Sequence, residues 1–193
     1  MDPDVERRLV AALREGDERA FGEVYEAWRA AVFTFTLRMV GRRAVAEELA
    51  QEVWLRLAAR AMSLRDDSRL EAWLFTVARN LCVSYWRTRG VEGLFDTAPE
   101  TIERLRSAGP LPDERAGSRE LGERLERGLA HLATRYREAL LLVGIHGLTP
   151  ATAAGVCGIS AEAMRKRLER ARDLLARELG MPRPAVAASG GKR

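Results

Sequence analysis

The sequence predicts an all-α protein made of two small helical domains that are joined by a flexible linker. Over most of its 193 residues, large apolar side chains recur at steps of three and four, the spacing that places them on one side of a helix. Alternation of period two, which would indicate strands, is nowhere sustained. Glycine and proline interrupt the helical pattern over residues 90–118, so the chain divides there.

Residues 1–89 are predicted to form the first domain because they carry three apolar stripes of helical spacing. The stripes cover residues 21–39, 46–57 and 70–85, and Gly41 ends the first of them.

Four aromatic residues fall in the third stripe region. Trp73 and Tyr85 lie on the stripe and are expected in the core. Phe75 and Trp86 lie off it, so the sequence leaves open whether these two side chains pack internally or stack on a binding partner.

The rest of the chain separates into segments of different charge. The connector, residues 90–118, holds six acidic and three basic side chains (net −3), whereas residues 119–193 hold eight acidic and fourteen basic ones (net +6). Helical spacing resumes over residues 119–180, the predicted second domain. Residues 181–193 are rich in Pro, Ala, Gly and Ser, which predicts a disordered tail. A basic second domain indicates a polyanionic partner.

Residues 149–172 have the layout of a helix-turn-helix. Thr149 and Pro150 suit the N-cap and the first position of a short helix. Gly158 suits the turn, and Ser160 can cap the helix that follows. In this motif the second helix enters the major groove of DNA.

The second helix of this motif is strongly basic, since five of the eight residues 165–172 are Arg or Lys. Met164, Leu168 and Ala171 would face the core and leave the cations outside. A solvated basic face is the ordinary alternative, but its position in the motif favours DNA contact, in which arginine can bind guanine edges or phosphates.

The sequence offers no pattern for catalysis, for a metal, for a cofactor or for a small-molecule substrate. Cys82 and Cys157 are isolated among apolar neighbours, which predicts small core residues rather than a disulfide or a zinc site. His131 and His146 have no nucleophile or metal cluster beside them in the sequence.

A cytoplasmic protein without membrane insertion is expected. No apolar run is longer than that at residues 139–143, which is far shorter than the roughly 20 residues of a membrane-spanning helix. The first residues contain no apolar signal core.

Several segments carry motifs that recur together in one protein family. In the first half they are GDERAF at 16–21, AEELAQEVWLRL at 46–57 and AWLFTVARNL at 72–81. In the second half they are EALLL at 138–142, GLT at 147–149, GIS at 158–160 and RKRLERAR at 165–172. In this order and spacing, over roughly residues 5–180, the chain resembles the extracytoplasmic-function (ECF) subfamily of the bacterial sigma-70 family of RNA polymerase sigma factors. The resemblance implies a region 2 helical bundle and a region 4 helix-turn-helix.

The resemblance also implies partners and sites. The partners are core RNA polymerase, promoter DNA and an anti-sigma factor. The polymerase-binding face would consist of Glu47, Glu48, Gln51, Glu52 and Arg56. The minus-10 DNA contacts would come from Arg60, Arg65, Arg69, Arg79, Asn80, Arg87 and Arg89. The minus-35 DNA contacts would come from Ser160, Arg165, Lys166, Arg167, Arg170 and Arg172, of which Arg167 could partly serve the domain's own packing.

The acidic connector fits the same resemblance, because in sigma factors it passes near the active-site cleft of the polymerase. A generic flexible linker is the alternative. Two other functions also remain as hypotheses, a stand-alone helix-turn-helix regulator and a degenerate sigma-like protein that binds polymerase but reads DNA poorly.

One departure from the family pattern bears on the last hypothesis. The family usually has Glu-Ile-Ala where this chain has Thr-Ala-Ala at 152–154. Ala153 buries less apolar surface than isoleucine would, and each missing buried methylene lowers the stability by about 0.8 kcal/mol. Gly155 costs a helix about 1 kcal/mol relative to alanine. The sequence therefore predicts a less stable second domain or weaker minus-35 contact.

Overall fold

The computed structural model describes residues 2–65, 68–88 and 119–181. All regular secondary structure in these ranges is helical, which confirms the predicted all-α fold. The predicted linker at 90–118, the tail from residue 182 onward and Arg89 lie outside the described residues.

The described part of the first domain contains four α-helices. They are α1 (Pro3–Arg14), α2 (Glu18–Val40), α3 (Arg43–Arg60) and α4 (Leu70–Thr88), with a 3₁₀ turn at Ala61–Ser63 after α3. The three predicted stripes correspond to α2, α3 and α4. Gly41 ends α2 as predicted, with a φ of 71° that suits glycine.

The core of this domain lies between α2, α3 and α4. Its fully buried side chains include Val32, Phe35, Leu57 and Leu74. Burial of a large apolar side chain contributes about 1.5–3 kcal/mol, so this packing holds the three helices in place.

The four aromatic residues of α4 all contribute to packing. Phe75 and Trp86 are only 1% and 4% exposed, and the Trp86 Nε1–H donates to the Met39 carbonyl at 3.3 Å. Trp73 and Tyr85 are half-buried against the same core. The two residues that the sequence left open are therefore internal in this structure.

Helix α1 supports the segment that precedes α4. It buries Leu9, Val10 and Leu13 and packs against α2 and the 3₁₀ turn. Its Glu6, with a side chain 8% exposed, places Oε2 3.1 Å from Nε of Arg69. This ion pair links α1 to the chain that leads into α4.

The second domain contains α5 (Arg119–His131), α6 (Thr134–Ala139), a π-helical turn at Leu140–Ile145, α7 (Pro150–Cys157) and α8 (Ala161–Glu178). The sequence predicts one continuous buried helix over residues 137–145. The structure instead passes from α6 into the wider π-turn, which buries three consecutive leucines at 140, 141 and 142.

Arg137 is a buried cation that holds the end of α5. Its guanidinium donates to the carbonyl oxygens of Leu129 (2.9 Å), Ala130 (2.7 Å) and Leu132 (3.1 Å). Carbonyls at a helix end have no partner within the helix, so the arginine supplies one. Burial lowers the pKa of Arg137 to about 10.

The two domains pack directly against each other, mainly through α4 and α7. Helix α2 also contacts α5 and α6. The buried apolar side chains of both domains form one continuous cluster. Helix α7 contributes the small buried side chains of Ala153 and Ala154, which allow neighbouring helices to approach closely.

Candidate nucleic-acid interface

The helix-turn-helix is built by three local signals that the sequence predicted. The Thr149 hydroxyl accepts the Thr152 N–H at 3.1 Å and caps α7, with Pro150 in the first position. Gly158 turns the chain with a φ of 66°. The Ser160 hydroxyl accepts the Ala163 N–H at 3.1 Å and caps α8, so this side chain is already engaged.

Helix α8 separates its apolar and basic residues onto different faces. Met164, Leu168 and Ala171 are buried, as predicted. Most of its cations are exposed, namely Arg165, Lys166, Arg170 and Arg172. The structure thus brings these cations together on the outer face of the second helix, the element that enters the major groove in this motif.

Two cations of α8 have partners within the chain. Lys166 Nζ lies 2.7 Å from Glu162 Oε1, but both side chains are about 70% exposed, and such pairs contribute little. Arg167 is half-buried, and its charge acts on the buried Glu138 carboxylate. This agrees with the prediction that Arg167 partly serves the packing of the domain.

A second candidate surface lies on α3. Glu47, Glu48, Gln51 and Arg56 are exposed there, and Glu52 is half-buried. Two ion pairs run along the helix, Arg43 Nε to Glu47 Oε1 at 2.9 Å and Arg56 Nε to Glu52 Oε1 at 2.8 Å.

Sequence reasoning missed an apolar residue on α3. Leu55 is 57% exposed beside Gln51 and Arg56, and Met62 in the following 3₁₀ turn is 77% exposed. A signal was available, because Leu55 falls outside the apolar stripe of its helix. An acidic face with an exposed leucine suits a partner surface that is basic and partly apolar.

The predicted minus-10 residues divide into two groups. Arg60, Arg65, Asn80 and Arg87 are exposed at the end of α3, before α4 and along α4. Arg69 and Arg79 instead contact carboxylates, Arg69 with Glu6 of α1 and Arg79 with Glu138 of α6. The minus-10 role of Arg79 stays a prediction, and in this structure the second domain covers its side chain.

Glu138 is the most deeply buried acidic residue among the described ones. Its side chain is 2% exposed, and Oε1 lies 3.0 Å from Arg79 Nε. The Cys157 thiol donates to Oε2 with an S–O distance of 3.8 Å. Burial raises the pKa of Glu138, and the charges of Arg79 and Arg167 oppose that rise.

His146 lies in the same contact between the domains. Its ring centroid is 4.8 Å from that of Phe75 and 6.1 Å from that of Phe35. Burial, aided by the charge of Arg38, lowers the pKa of His146 to about 4, so the ring is neutral at pH 7.

Both cysteines are buried, as predicted, and both are free thiols in this structure. Burial raises the pKa of the Cys82 thiol, and it raises that of Cys157 to about 12. Within the described ranges, no group of three or more His, Cys, Asp or Glu residues could hold a metal ion. None of the described helices is both long and apolar enough to span a bilayer.

Comparison with known proteins identifies both domains. The family model of sigma-70 region 2 matches residues 24–91, and that of sigma-70 region 4 matches residues 122–175. The chain is 35% identical to the ECF RNA polymerase sigma factor EcfG of Rhodopseudomonas palustris, covering 73% of this chain and 75% of that protein. It is 23% identical to the ECF RNA polymerase sigma factor SigW of Bacillus subtilis, covering 90% and 96%.

A solved structure shares the fold. The sigma factor RpoE of Bartonella quintana, crystallised with the anti-sigma factor NepR, superposes with a TM-score of 0.69 at 27% identity. The match covers 84% of this chain and 98% of that one. With two region models in the right order and relatives of 30% identity or more over most of their length, this chain belongs to the ECF family of RNA polymerase sigma factors.

Proposed function

We propose that the chain, as an RNA polymerase sigma factor, works by bridging, with each of its two domains holding a separate part of the initiation complex. The outer face of α3 binds core polymerase, the segment around α4 holds the minus-10 DNA, and α8 reads the minus-35 element. The observation that carries this proposal is the exposed basic face of α8 on a capped helix-turn-helix. The proposed place of action is the cytoplasm, where polymerase and chromosome meet, and the proposed role is that of an initiation factor without enzymatic activity.

An anti-sigma factor is part of the proposal. The Bartonella relative was crystallised with one, and the acidic face of α3 with its exposed Leu55 offers a surface for which such a protein could compete with polymerase. The acidic connector is proposed to pass near the polymerase cleft.

Reconstituted run-off transcription with core polymerase over a library of promoter fragments tests the proposal. Sequence-selective transcripts support it. A chain that binds core without directing transcripts would favour the degenerate sigma-like hypothesis, and a chain that does not bind core would favour the stand-alone regulator.

Reversal of one charge on α3 should weaken polymerase binding. We expect Glu48→Lys to reduce the affinity for core by about tenfold or more, because it places a cation at the centre of an acidic docking face. The control is Glu23→Lys, at an exposed glutamate of α2 that pairs with Arg8 of α1. Affinity is measured by fluorescence anisotropy of the labelled chain, and equal losses in both variants would contradict the assignment.

The cations of α8 should fall into two functional groups. We expect Arg165→Ala, near the start of the helix, to reduce discrimination between promoter and scrambled DNA by about tenfold, as loss of one base contact does. We expect Arg172→Ala to weaken binding to promoter and scrambled DNA alike. It should also reduce the slope of log affinity against log salt concentration by about 0.9, as loss of one phosphate contact does. Binding titrations at several salt concentrations measure both effects, with the exposed Arg177→Ala as control. Similar behaviour of the two variants would contradict the division.

A further inference from the structure

We propose that Glu6 of α1 is a positioning residue for minus-10 recognition, because it holds Arg69 and with it the chain that leads into α4. The inference rests on the function proposed above, in which this part of the first domain holds the minus-10 DNA. Three features support it, namely the burial of Glu6, the exposure of Arg69 and the hydrogen bonds that connect Arg69 to its neighbours.

Glu6 is a buried carboxylate whose partner comes from a distant part of the sequence. Its side chain is 8% exposed, and Oε2 accepts a hydrogen bond from Arg69 Nε at 3.1 Å. Burial of a charge costs free energy, so such a pair adds little stability compared with a well-packed apolar side chain. Helix α1 already buries Leu9, Val10 and Leu13. What Glu6 adds to this packing is a defined direction for the Arg69 side chain.

Arg69 remains accessible despite this contact. Its side chain is 65% exposed, so most of its surface is open to solvent. A guanidinium carries five N–H donors in one rigid plane, and it can therefore bind a carboxylate with one edge and a phosphate with another. Glu6 would fix the direction in which Arg69 meets the DNA backbone without occupying the whole side chain.

The position of Arg69 is passed on to its neighbours through hydrogen bonds. Its carbonyl oxygen accepts the Trp73 N–H at 2.9 Å in the first turn of α4. On the other side, the Ser68 N–H donates to the Arg65 carbonyl, and the Arg65 N–H donates to the Ser68 hydroxyl, both at 2.9 Å. Glu6 is thus connected to Arg69 directly and to Arg65 through one intervening turn.

Transcription by the full chain with core polymerase tests the role of Glu6. The probes are a promoter fragment recovered from the run-off library and two copies of it, one with a scrambled minus-10 element and one with a scrambled minus-35 element. We expect Glu6→Gln to lower the preference for the intact minus-10 element by about tenfold, as loss of a hydrogen bond between charged groups does. The preference for the intact minus-35 element should stay unchanged. The matched control is Glu23→Gln, which breaks the exposed pair with Arg8 of α1 and should change neither preference.

Two further variants distinguish positioning from stabilisation. Glu6→Met puts an apolar side chain of similar size in the buried position, so we expect the melting temperature of the full chain to stay the same or to rise while the minus-10 preference falls. Arg69→Gln should lower the minus-10 preference by itself. Addition of Glu6→Gln to it should cause no further loss, because Glu6 acts through Arg69.

An unchanged minus-10 preference in both Glu6 variants would overturn the proposal. Equal losses of the minus-10 and minus-35 preferences would also overturn it, since they indicate general destabilisation, and so would an additive loss in the double variant. Absence of transcripts from the parent chain on every fragment would appear separately and would refute the function on which the inference rests.

Discussion

Replacement of Arg137 by alanine is expected to destabilise the second domain by about 3–5 kcal/mol. The change leaves three buried carbonyl oxygens at the end of α5 without their charged donor. The Leu129 carbonyl keeps a second donor, the Leu132 N–H at 3.2 Å, and each group left unsatisfied costs about 1–3 kcal/mol. Total stabilities of domains are about 5–15 kcal/mol, so the loss is a large fraction. Urea unfolding of the full chain measures it as a lower midpoint in far-ultraviolet circular dichroism.

The positions of the tryptophans make this measurement specific. All four, Trp28, Trp54, Trp73 and Trp86, lie in the first domain, so tryptophan fluorescence reports on that domain while circular dichroism reports on both. We expect the helical signal of the Arg137 variant to be lost before the fluorescence changes. The control is Arg135→Ala, at an exposed arginine over the Tyr136 ring, with an expected cost below about 1 kcal/mol. Equal midpoints for the two variants would contradict the stabilising role of Arg137 at the end of α5.

Acidification from pH 7.5 to 5 is expected to separate the two domains. The pKa of His146 is about 4 while the two domains are in contact, and it would return to about 6.5 when the ring is exposed to water. When the domains are apart, His146 therefore binds its proton at a higher pH than when they are in contact. Below pH 6.5, each further pH unit of acidification, down to about pH 4, favours separation of the domains by about 1.4 kcal/mol. The charged groups between the two domains include the pairs Arg38–Glu126 and Arg79–Glu138, and Arg38 also disfavours the imidazolium.

Glu138 acts in the opposite direction as the pH falls. Burial raises the pKa of Glu138, so its carboxylate binds a proton at a higher pH when the domains are in contact than when they are apart. Acidification therefore stabilises the contact through Glu138. The variant His146→Gln separates the two effects, because only Glu138 then titrates. A chain labelled at Ala27→Cys of α2 and Arg177→Cys of α8, two exposed positions, should show longer distances at pH 5 with His146 present and unchanged distances with His146→Gln. The same response in both chains would show that His146 does not control the separation.

Local signals explain what could be predicted from the sequence. The helices α2–α4 follow from apolar spacing, and the helix-turn-helix follows from caps at Thr149 and Ser160 with Gly158 between them. These signals act over a few residues and can be read along the chain. The outward direction of the α8 cations follows from the same periodicity, which fixes Met164 and Leu168 inside.

Long-range pairings explain what could not be predicted. Arg79 matches the minus-10 motif, but nothing near it in sequence indicates that Glu138 would cover it. Arg137 and Glu138 do carry a signal, since they are charged residues beside the apolar run at 139–143, yet their partners lie in other elements.

The weakness predicted for α7 stays a prediction. A Cβ at Gly155 would meet no atom within 4 Å, so packing does not require this glycine.

The packing of α1 indicates that the stable unit of the first domain is larger than the segment by which its family is recognised. The region 2 match begins at residue 24. Helix α1 precedes it and buries its own Leu9, Val10 and Leu13 against the rest of the domain. A fragment cut at residue 24 would expose the apolar surface that α1 occupies and would leave Arg69 without its carboxylate. Such a fragment is expected to aggregate or to hold the chain before α4 loosely, so isolated-domain experiments on this protein should retain its N-terminal helix.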